Sequence, residues 1–150
     1  MTGAMEIELT LVELSRPQTT MAVTRGAARL IMAMGYAPLL EVGLPNGRRA
    51  DIMALSPRGR IAICEVKSGI EDYRADRKWG EYLPFCDEFY FAVAPEFPRR
   101  ALPEGPGLIV ADGFDGAVIL DPPQTPLAPA RRKALTLAFA RLAAIRATIA

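Results

Sequence analysis

The sequence contains no histidine among its 150 residues. Without an imidazole, the chain cannot build Ser-His-Asp or Cys-His nucleophile systems, histidine-ligated zinc or a histidine general base. The G-x-x-x-x-G-K-[ST] loop is missing too, which argues against P-loop nucleotide hydrolysis. Any chemistry must therefore come from carboxylates, lysine, hydroxyls or a bound hard metal ion.

Cysteine is scarce as well. The only two, Cys64 and Cys86, lie far apart and in apolar settings. We therefore expect reduced thiols in the core rather than a disulfide or a metal pair.

Long apolar runs and a charge excess are also lacking. No run approaches the ~20 residues needed to span a bilayer, and the N-terminal segment carries acids where a secretory signal carries basic residues, so we expect a cytoplasmic protein. The formal net charge of +1 excludes a polybasic protein that binds nucleic acid by bulk charge. Local basic clusters could still follow a phosphate backbone.

The chain length fits one domain over residues 1–150, with an N-terminal segment at 1–16 and a proline-rich linker at 121–130. Apolar spacing that includes Met21, Ile31 and Met32 predicts a first helix. The fold class we predict is α/β, with a mixed central sheet flanked by helices. The predicted helices cover 18–34, 70–83 and 130–150, and the predicted strands cover 37–44, 48–55, 60–68, 88–94, 107–112 and 116–121.

The strand "RIAICEVKS" carries two charges in an apolar setting. Because side chains alternate along a strand, Ile61, Ile63, Glu65 and Lys67 share one face. The other face, with Cys64 among its residues, is apolar too, which is typical of a central strand covered on both sides. Glu65 and Lys67 therefore continue an inward-facing row.

The preceding strand supplies a second acid. A hairpin register that matches Leu55 to Ile61 and Met53 to Ile63 places Asp51 opposite Glu65. Two carboxylates paired in this way lie about 4.5–5.5 Å apart at Cβ and repel each other. Lys67 supplies part of the compensating charge, and Mg²⁺ or Mn²⁺ would supply more, with the backbone carbonyl of Val66 as a further predicted ligand.

Glu41, on the strand before, is a further candidate ligand. A two-residue turn at Asn46 and Gly47 would set Glu41 against Ile52, on the wrong face. A three-residue bulged turn would set it against Met53, on the face of the site. The sequence leaves both turns open.

Asp51 followed by Glu65-Val66-Lys67 on the next strand resembles the PD-(D/E)XK nuclease superfamily. Within it, the segments "GRRADIMAL" and "CEVKSGIEDYRADRKWGEYL" are similar to MmcB-type bacterial DNA repair proteins, and the similarity continues to the last helix. The resemblance implies a restriction-endonuclease-like core in which Asp51 and Glu65 bind the metal. It implies that Lys67 orients the attacking water or stabilises developing phosphate charge.

Two departures stand against the superfamily pattern. Residue 50 is alanine where the motif has proline, and residues 18–34 contain no acid where many such nucleases carry a glutamate on the first helix. The sequence therefore predicts a Mg²⁺- or Mn²⁺-dependent deoxyribonuclease, a hydrolase acting in DNA repair. The alternative is a catalytically inactive relative that binds DNA or a repair-protein partner. The oligomeric state stays open.

Basic residues near these acids are candidates for DNA contacts. The second predicted helix carries Arg74, Arg77 and Lys78, and Arg48 and Arg49 follow the hairpin turn. The alternative for each group is a solvated surface. A third cluster at residues 131–133 opens the last helix, whose dipole disfavours cations there, and DNA phosphate is one candidate partner for it.

Overall fold

A computed structural model of the protein describes residues 4–11, 18–69 and 78–150. These residues contain a seven-stranded sheet with the spatial order β1 to β7. β4, β5 and β6 run parallel, and the remaining neighbours pair antiparallel. The predicted mixed sheet with flanking helices is confirmed. The strands are β1 Thr10–Leu11, β2 Ala37–Gly43, β3 Arg49–Leu55, β4 Ile61–Lys67, β5 Glu88–Val93, β6 Gly107–Ala111 and β7 Gly116–Leu120.

Within the described ranges, two α-helices flank the sheet, α1 over Gln18–Ala33 and α2 over Pro129–Ile149. Two 3₁₀ helices, η1 over Trp79–Phe85 and η2 over Arg99–Ala101, lie in the connections. Of the helix predicted over 70–83, residues 70–77 lie outside the described residues. The remainder of the predicted helix was wrong in type: it falls in the 3₁₀ helix η1, which contains Pro84, and proline lacks the N–H that an α-helix needs. None of the described helices has the length and apolar content needed to cross a bilayer.

Each face of the sheet buries its own core. On the α1 face, α1 packs against strand residues that include Ile52, Cys64 and Val66. The opposite side of the sheet is the α2 face. There, α2 and η1 cover residues that include Ile63 and Phe91. α1 buries its row of Val23, Ala27 and Ile31, whereas Met21 and Met32, predicted to recur on its apolar side, are exposed. Cys64 and Cys86 are buried free thiols, as expected.

Gly26 lies where α1 approaches the β6–β7 hairpin most closely. A Cβ built on Gly26 would lie 1.9 Å from the carbonyl oxygen of Asp112 and 2.7 Å from that of Asp115. Glycine is therefore required for packing between the helix and the hairpin.

Arg132 fixes the start of α2 to the sheet. Its guanidinium makes a two-pronged ion pair with Asp87 and donates to the Gly59 carbonyl at 2.7 Å. Asp87 also accepts the N–H groups of Ile61 and Leu127 at 2.8 and 2.9 Å. Burial raises the pKa of the Asp87 carboxyl, but the bonds from Arg132 and the two N–H groups outweigh burial and leave the pKa below its ordinary value.

Two of the three residues of the basic cluster at 131–133 therefore have partners within the protein, and contact of this cluster with DNA stays a prediction. Arg131 donates to the Pro84 carbonyl at 3.3 Å and lies over the Phe85 ring at 5.6 Å from its centroid. Further along α2, Leu135, Phe139 and Leu142 are buried, but Ile145 and Ile149 are exposed. Only the first two thirds of the apolar side of α2 is docked on the core.

Candidate active site

The predicted register of β3 and β4 is confirmed. Leu55 pairs with Ile61, Met53 with Ile63 and Ile52 with Cys64. Asp51 and Glu65 come next in line, at the end of the ladder. Matching side-chain size on the two faces was enough to set this register, because a slip by one residue would exchange the faces.

The two carboxyl groups are held by main-chain N–H groups across the strand pair. The Asp51 N–H donates to Glu65 Oε1 at 2.9 Å, and the Val66 N–H donates to Asp51 Oδ2 at 2.7 Å. Each acid therefore accepts a hydrogen bond from the opposite strand just beyond the regular ladder. These bonds fix both carboxyl groups without help from a loop.

All three residues of the predicted site are buried. Asp51, Glu65 and Lys67 are 4%, 5% and 4% exposed, respectively. Burial raises the pKa of the Glu65 carboxyl well above its ordinary value, and the Asp51 charge raises it further. The N–H of Asp51 and the Lys67 ammonium oppose these effects without cancelling them.

The donor set fits a hard cation. Two close carboxylates and one lysine sum to a formal charge of −1, and burying such an excess is costly unless a proton or a cation compensates it. Oxygen donors of this kind suit Mg²⁺ or Mn²⁺, which keep several waters. Within residues 4–11, 18–69 and 78–150, no group of three or more acids or cysteines is arranged to hold a metal ion. Asp51 and Glu65 would therefore share the cation with water and with main-chain oxygen, and the Val66 carbonyl remains a predicted ligand.

The first helix adds no acid to the pair. α1 packs on the face that carries Cys64 and Val66, whereas alternation along β4 places Glu65 and Lys67 on the α2 face with Ile63. Its sequence over Gln18–Ala33 contains no aspartate or glutamate. The departure noted in the sequence is therefore a property of the folded site as well.

Neither predicted position of Glu41 is correct. The turn has three residues, since the Leu44 N–H donates to the Arg48 carbonyl at 2.7 Å, and Gly47 has φ +83°. Leu39, not Glu41, pairs with Met53. The flanking pairs of β2 and β3 set Glu41 in line with Asp51, but its φ of 54° breaks the regular alternation of the strand.

The backbone around Glu41 is held from α2. The Arg146 guanidinium donates to the carbonyls of Leu40 and Glu41, the second at 2.7 Å. Burial lowers the pKa of Arg146, and the Glu41 charge opposes that shift. Glu41 thus lies beside Asp51 along the sheet, and its role as a ligand remains a prediction.

η1 is braced against the β2–β3 hairpin beside Asp51. Arg48 Nε donates to Glu81 Oε2 at 2.6 Å, and Asn46 Nδ2 donates to the Glu81 carbonyl at 2.9 Å. The Tyr82 hydroxyl donates to the Arg49 carbonyl at 3.2 Å. These contacts hold the start of η1 near the acids, and sequence patterns gave no signal for them.

The predicted DNA-binding residues therefore have different surroundings. Arg48 pairs with Glu81, whereas Arg49 is exposed on the strand that leads to Asp51. Lys78 is exposed immediately before η1. Arg74 and Arg77 lie outside the described residues.

The connection from β5 to β6 brings two further arginines to this side of the sheet. Arg99 and Arg100 form most of η2 and are exposed. They were not among the residues predicted from the sequence to contact DNA. A basic pair within the proline-rich stretch "EFPRRALPEGPG" was the available signal.

Comparisons with known proteins identify the chain's relatives. A family model described as DNA repair protein MmcB-like matches residues 8–150. A solved structure of a protein of unknown function from Silicibacter pomeroyi is 42% identical, with a TM-score of 0.82 over 87% of this chain and 89% of that one. No match is found among curated proteins. The family match spans nearly the whole sequence, and the resemblance seen in the residues is confirmed: the chain belongs to the MmcB-like family of DNA repair proteins.

Proposed function

We propose that the protein is a Mg²⁺- or Mn²⁺-dependent deoxyribonuclease with a PD-(D/E)XK core that hydrolyses DNA phosphodiester bonds during repair. The observation that carries the proposal is the buried arrangement of Asp51 and Glu65, face to face at the end of β3 and β4, with Lys67 on the same row. The proposal includes DNA as the partner and a cytoplasmic location, since a repair enzyme acts where the DNA is.

In this proposal Asp51 and Glu65 hold the cation through their carboxylate oxygens. The bound metal would lower the pKa of a water and neutralise phosphate charge, which is the work that no histidine is present to do. Lys67 contributes its ammonium to the attacking water or to the charge that develops on the phosphate. Its burial strengthens that interaction, because the surrounding dielectric is low.

The absence of an acid on the first helix favours a second candidate function. α1 carries no carboxylate and packs on the opposite face, so the described site has fewer acidic ligands than many nucleases of the superfamily. The alternative is a protein that keeps the nuclease fold and binds DNA or a repair protein without turnover. Both functions include DNA binding, so cleavage decides between them.

The test is incubation of the purified protein with single-stranded, duplex and branched DNA, with Mn²⁺, with Mg²⁺ or with chelator. We expect metal-dependent cleavage by the wild type. Lys67→Ala should abolish cleavage while DNA affinity changes by only a few-fold, since the lysine acts chiefly on the transition state. Arg58→Ala is the control, because this arginine is exposed in the turn between β3 and β4.

Because Lys67 is buried, Lys67→Met tests the same charge with a side chain of similar length and apolar stem. A thermal melt of each variant checks folding. Cleavage by a folded Lys67→Ala or Lys67→Met protein at the wild-type rate would remove Lys67 from the mechanism. DNA binding by the wild type with no cleavage of any substrate would establish the alternative.

A further inference from the structure

β5 ends at the same end of the sheet as the acidic site. β4 and β5 are parallel, with Glu65 beside Phe91 and Lys67 beside Val93. Because parallel strands have their C-termini at the same end of the sheet, the segment after Val93 starts next to Lys67. It must then cross the sheet to begin β6 at Gly107, beside Tyr90.

This crossing segment is fixed on the α2 face. The Phe97 N–H donates to the Ala94 carbonyl at 3.1 Å, so the chain turns as soon as β5 ends. Phe97 is buried in the core of that face, and Ala101 and Leu102 pack against it. The Leu102 N–H closes the η2 turn on the Arg99 carbonyl at 3.0 Å. η2 is therefore anchored on the side of the sheet toward which Glu65 and Lys67 point.

η2 presents two charges that no acid among the described residues neutralises. Arg99 and Arg100 are exposed, and neither makes a hydrogen bond or ion pair with any residue in the described ranges. The acids nearest in sequence, Glu96 and Glu104, are exposed and do not pair with them. By contrast, Arg132 is bound to a buried acid. Two adjacent guanidinium groups without carboxylate partners match the bidentate geometry of phosphate oxygens.

Basic residues thus lie on both sides of the acids. Arg49 begins β3, on one side of β4, and η2 follows β5, on the other. Neighbouring strands are about 4.8 Å apart, so β3 and β5 are separated by roughly 10 Å. Since each strand of duplex DNA advances about 3.4 Å per nucleotide along the helix axis, that separation corresponds to the axial rise of about three nucleotides.

We infer that Arg99 and Arg100 bind backbone phosphates of the DNA on the opposite side of the scissile bond from Arg49. This inference rests on the proposed function, because it takes Asp51, Glu65 and Lys67 as the position of that bond. The substrate is then a continuous sugar–phosphate backbone that extends past the site in both directions.

The test measures binding of a fluorescein-labelled forked DNA at several salt concentrations, in chelator so that no cleavage occurs. Arg99→Ala/Arg100→Ala should weaken binding and lower the slope of log affinity against log salt by about one to two. Arg99→Lys/Arg100→Lys should retain most of the slope, because the charge is kept. Arg25→Ala/Arg58→Ala is the matched control: it removes two exposed charges, one on α1 and one in the turn between β3 and β4.

The outcomes separate the inference from the proposed function. A slope lowered only in the Arg99→Ala/Arg100→Ala protein supports the inference. If the wild type binds DNA and the slope is unchanged in that variant, the inference is overturned and the nuclease proposal stands. An equal loss of slope in the control also overturns the inference, since bulk charge would then explain the loss in both variants. A wild type that binds no DNA overturns the inference and the proposed function together.

Discussion

The substitution Asp51→Asn separates a metal site from a structural ion cluster without knowledge of the DNA substrate. In wild-type protein without metal, burial and then the Asp51 charge raise the pKa of the Glu65 carboxyl, and the Lys67 ammonium offsets these effects only in part. An asparagine at position 51 removes one charge. Its amide oxygen can still accept the Val66 N–H now bound by Asp51 Oδ2, and its NH₂ can donate to the Glu65 carboxylate.

The two hypotheses predict stability changes of different sign. For a metal site, Asp51→Asn should be as stable as wild type or more so in chelator, because repulsion is relieved and the main-chain bond is kept. For a structural ion cluster, removal of one partner would cost about 3–5 kcal/mol. In a protein of this size a change of 1 kcal/mol moves Tm by about 2–4 °C, so the cluster predicts a loss of roughly 6–20 °C.

Addition of Mn²⁺ gives the second half of the prediction. A ligand that binds only the folded state stabilises it by about 2.7 kcal/mol at a concentration 100 times its Kd. Wild type should therefore gain roughly 5–10 °C in Tm, and Asp51→Asn should gain far less. Asp121→Asn, at an exposed acid outside the site, should behave like wild type in every condition.

The assay is a set of thermal melts of the three proteins at neutral pH, with chelator and with Mn²⁺. The metal-site hypothesis would be refuted by a large loss of stability for Asp51→Asn in chelator together with no response of wild type to Mn²⁺. The proposed nuclease mechanism would then be refuted with it.

Two further predictions concern the fold. Gly26→Ala should destabilise by about 3 kcal/mol or more in a chemical denaturation assay, although alanine favours helices, because its Cβ would collide with the Asp112 carbonyl. Gly80→Ala, whose Cβ would meet nothing within 4 Å, is the control, and equal effects at both glycines would contradict the packing argument. Asp87→Asn should cost about 2–3 kcal/mol at neutral pH, since it breaks a partly exposed ion pair with Arg132. Because the pKa of Asp87 is lowered in the folded state, its contribution to stability is complete above the ordinary aspartate pKa of about 4 and is lost as the pH falls through the folded value. The stabilities of wild type and Asp87→Asn should therefore converge in acid. A stability difference that stays constant with pH would rule out the charge as the cause.

The site was more predictable from sequence than its surroundings. Alternation along β4 and matched side-chain sizes on β3 fix which residues face each other, and these are local properties of two adjacent strands. The residue pattern alone therefore places Asp51 and Glu65 opposite each other. Their hydrogen bonds to main-chain N–H groups add detail to that arrangement without changing it.

The errors arose where distant parts of the chain decide the local structure. A glycine inside a helix ordinarily weakens it, but the role of Gly26 depends on the β6–β7 hairpin, more than 80 residues away. Arg132 reads as a free cation, but its partner Asp87 comes from the start of β5. Glu41 was misplaced because the turn closes between Leu44 and Arg48, which sets Glu41 in line with Asp51. Its left-handed backbone is in turn held by Arg146 of α2 through the carbonyls of Leu40 and Glu41.

The two carboxylates have two roles: they accept main-chain hydrogen bonds that join β3 to β4, and they are the proposed metal ligands. The site therefore depends on the pairing of these strands. The oxygens that hold the N–H groups of Asp51 and Val66 belong to the same side chains that would bind the cation. If the first residues of β3 fray from β4, the ligands separate at the same moment, so no locally unfolded form of this edge retains half of the site. A bound cation would in turn hold the two strand ends together. The site would then persist for as long as the start of β3 stays paired with β4.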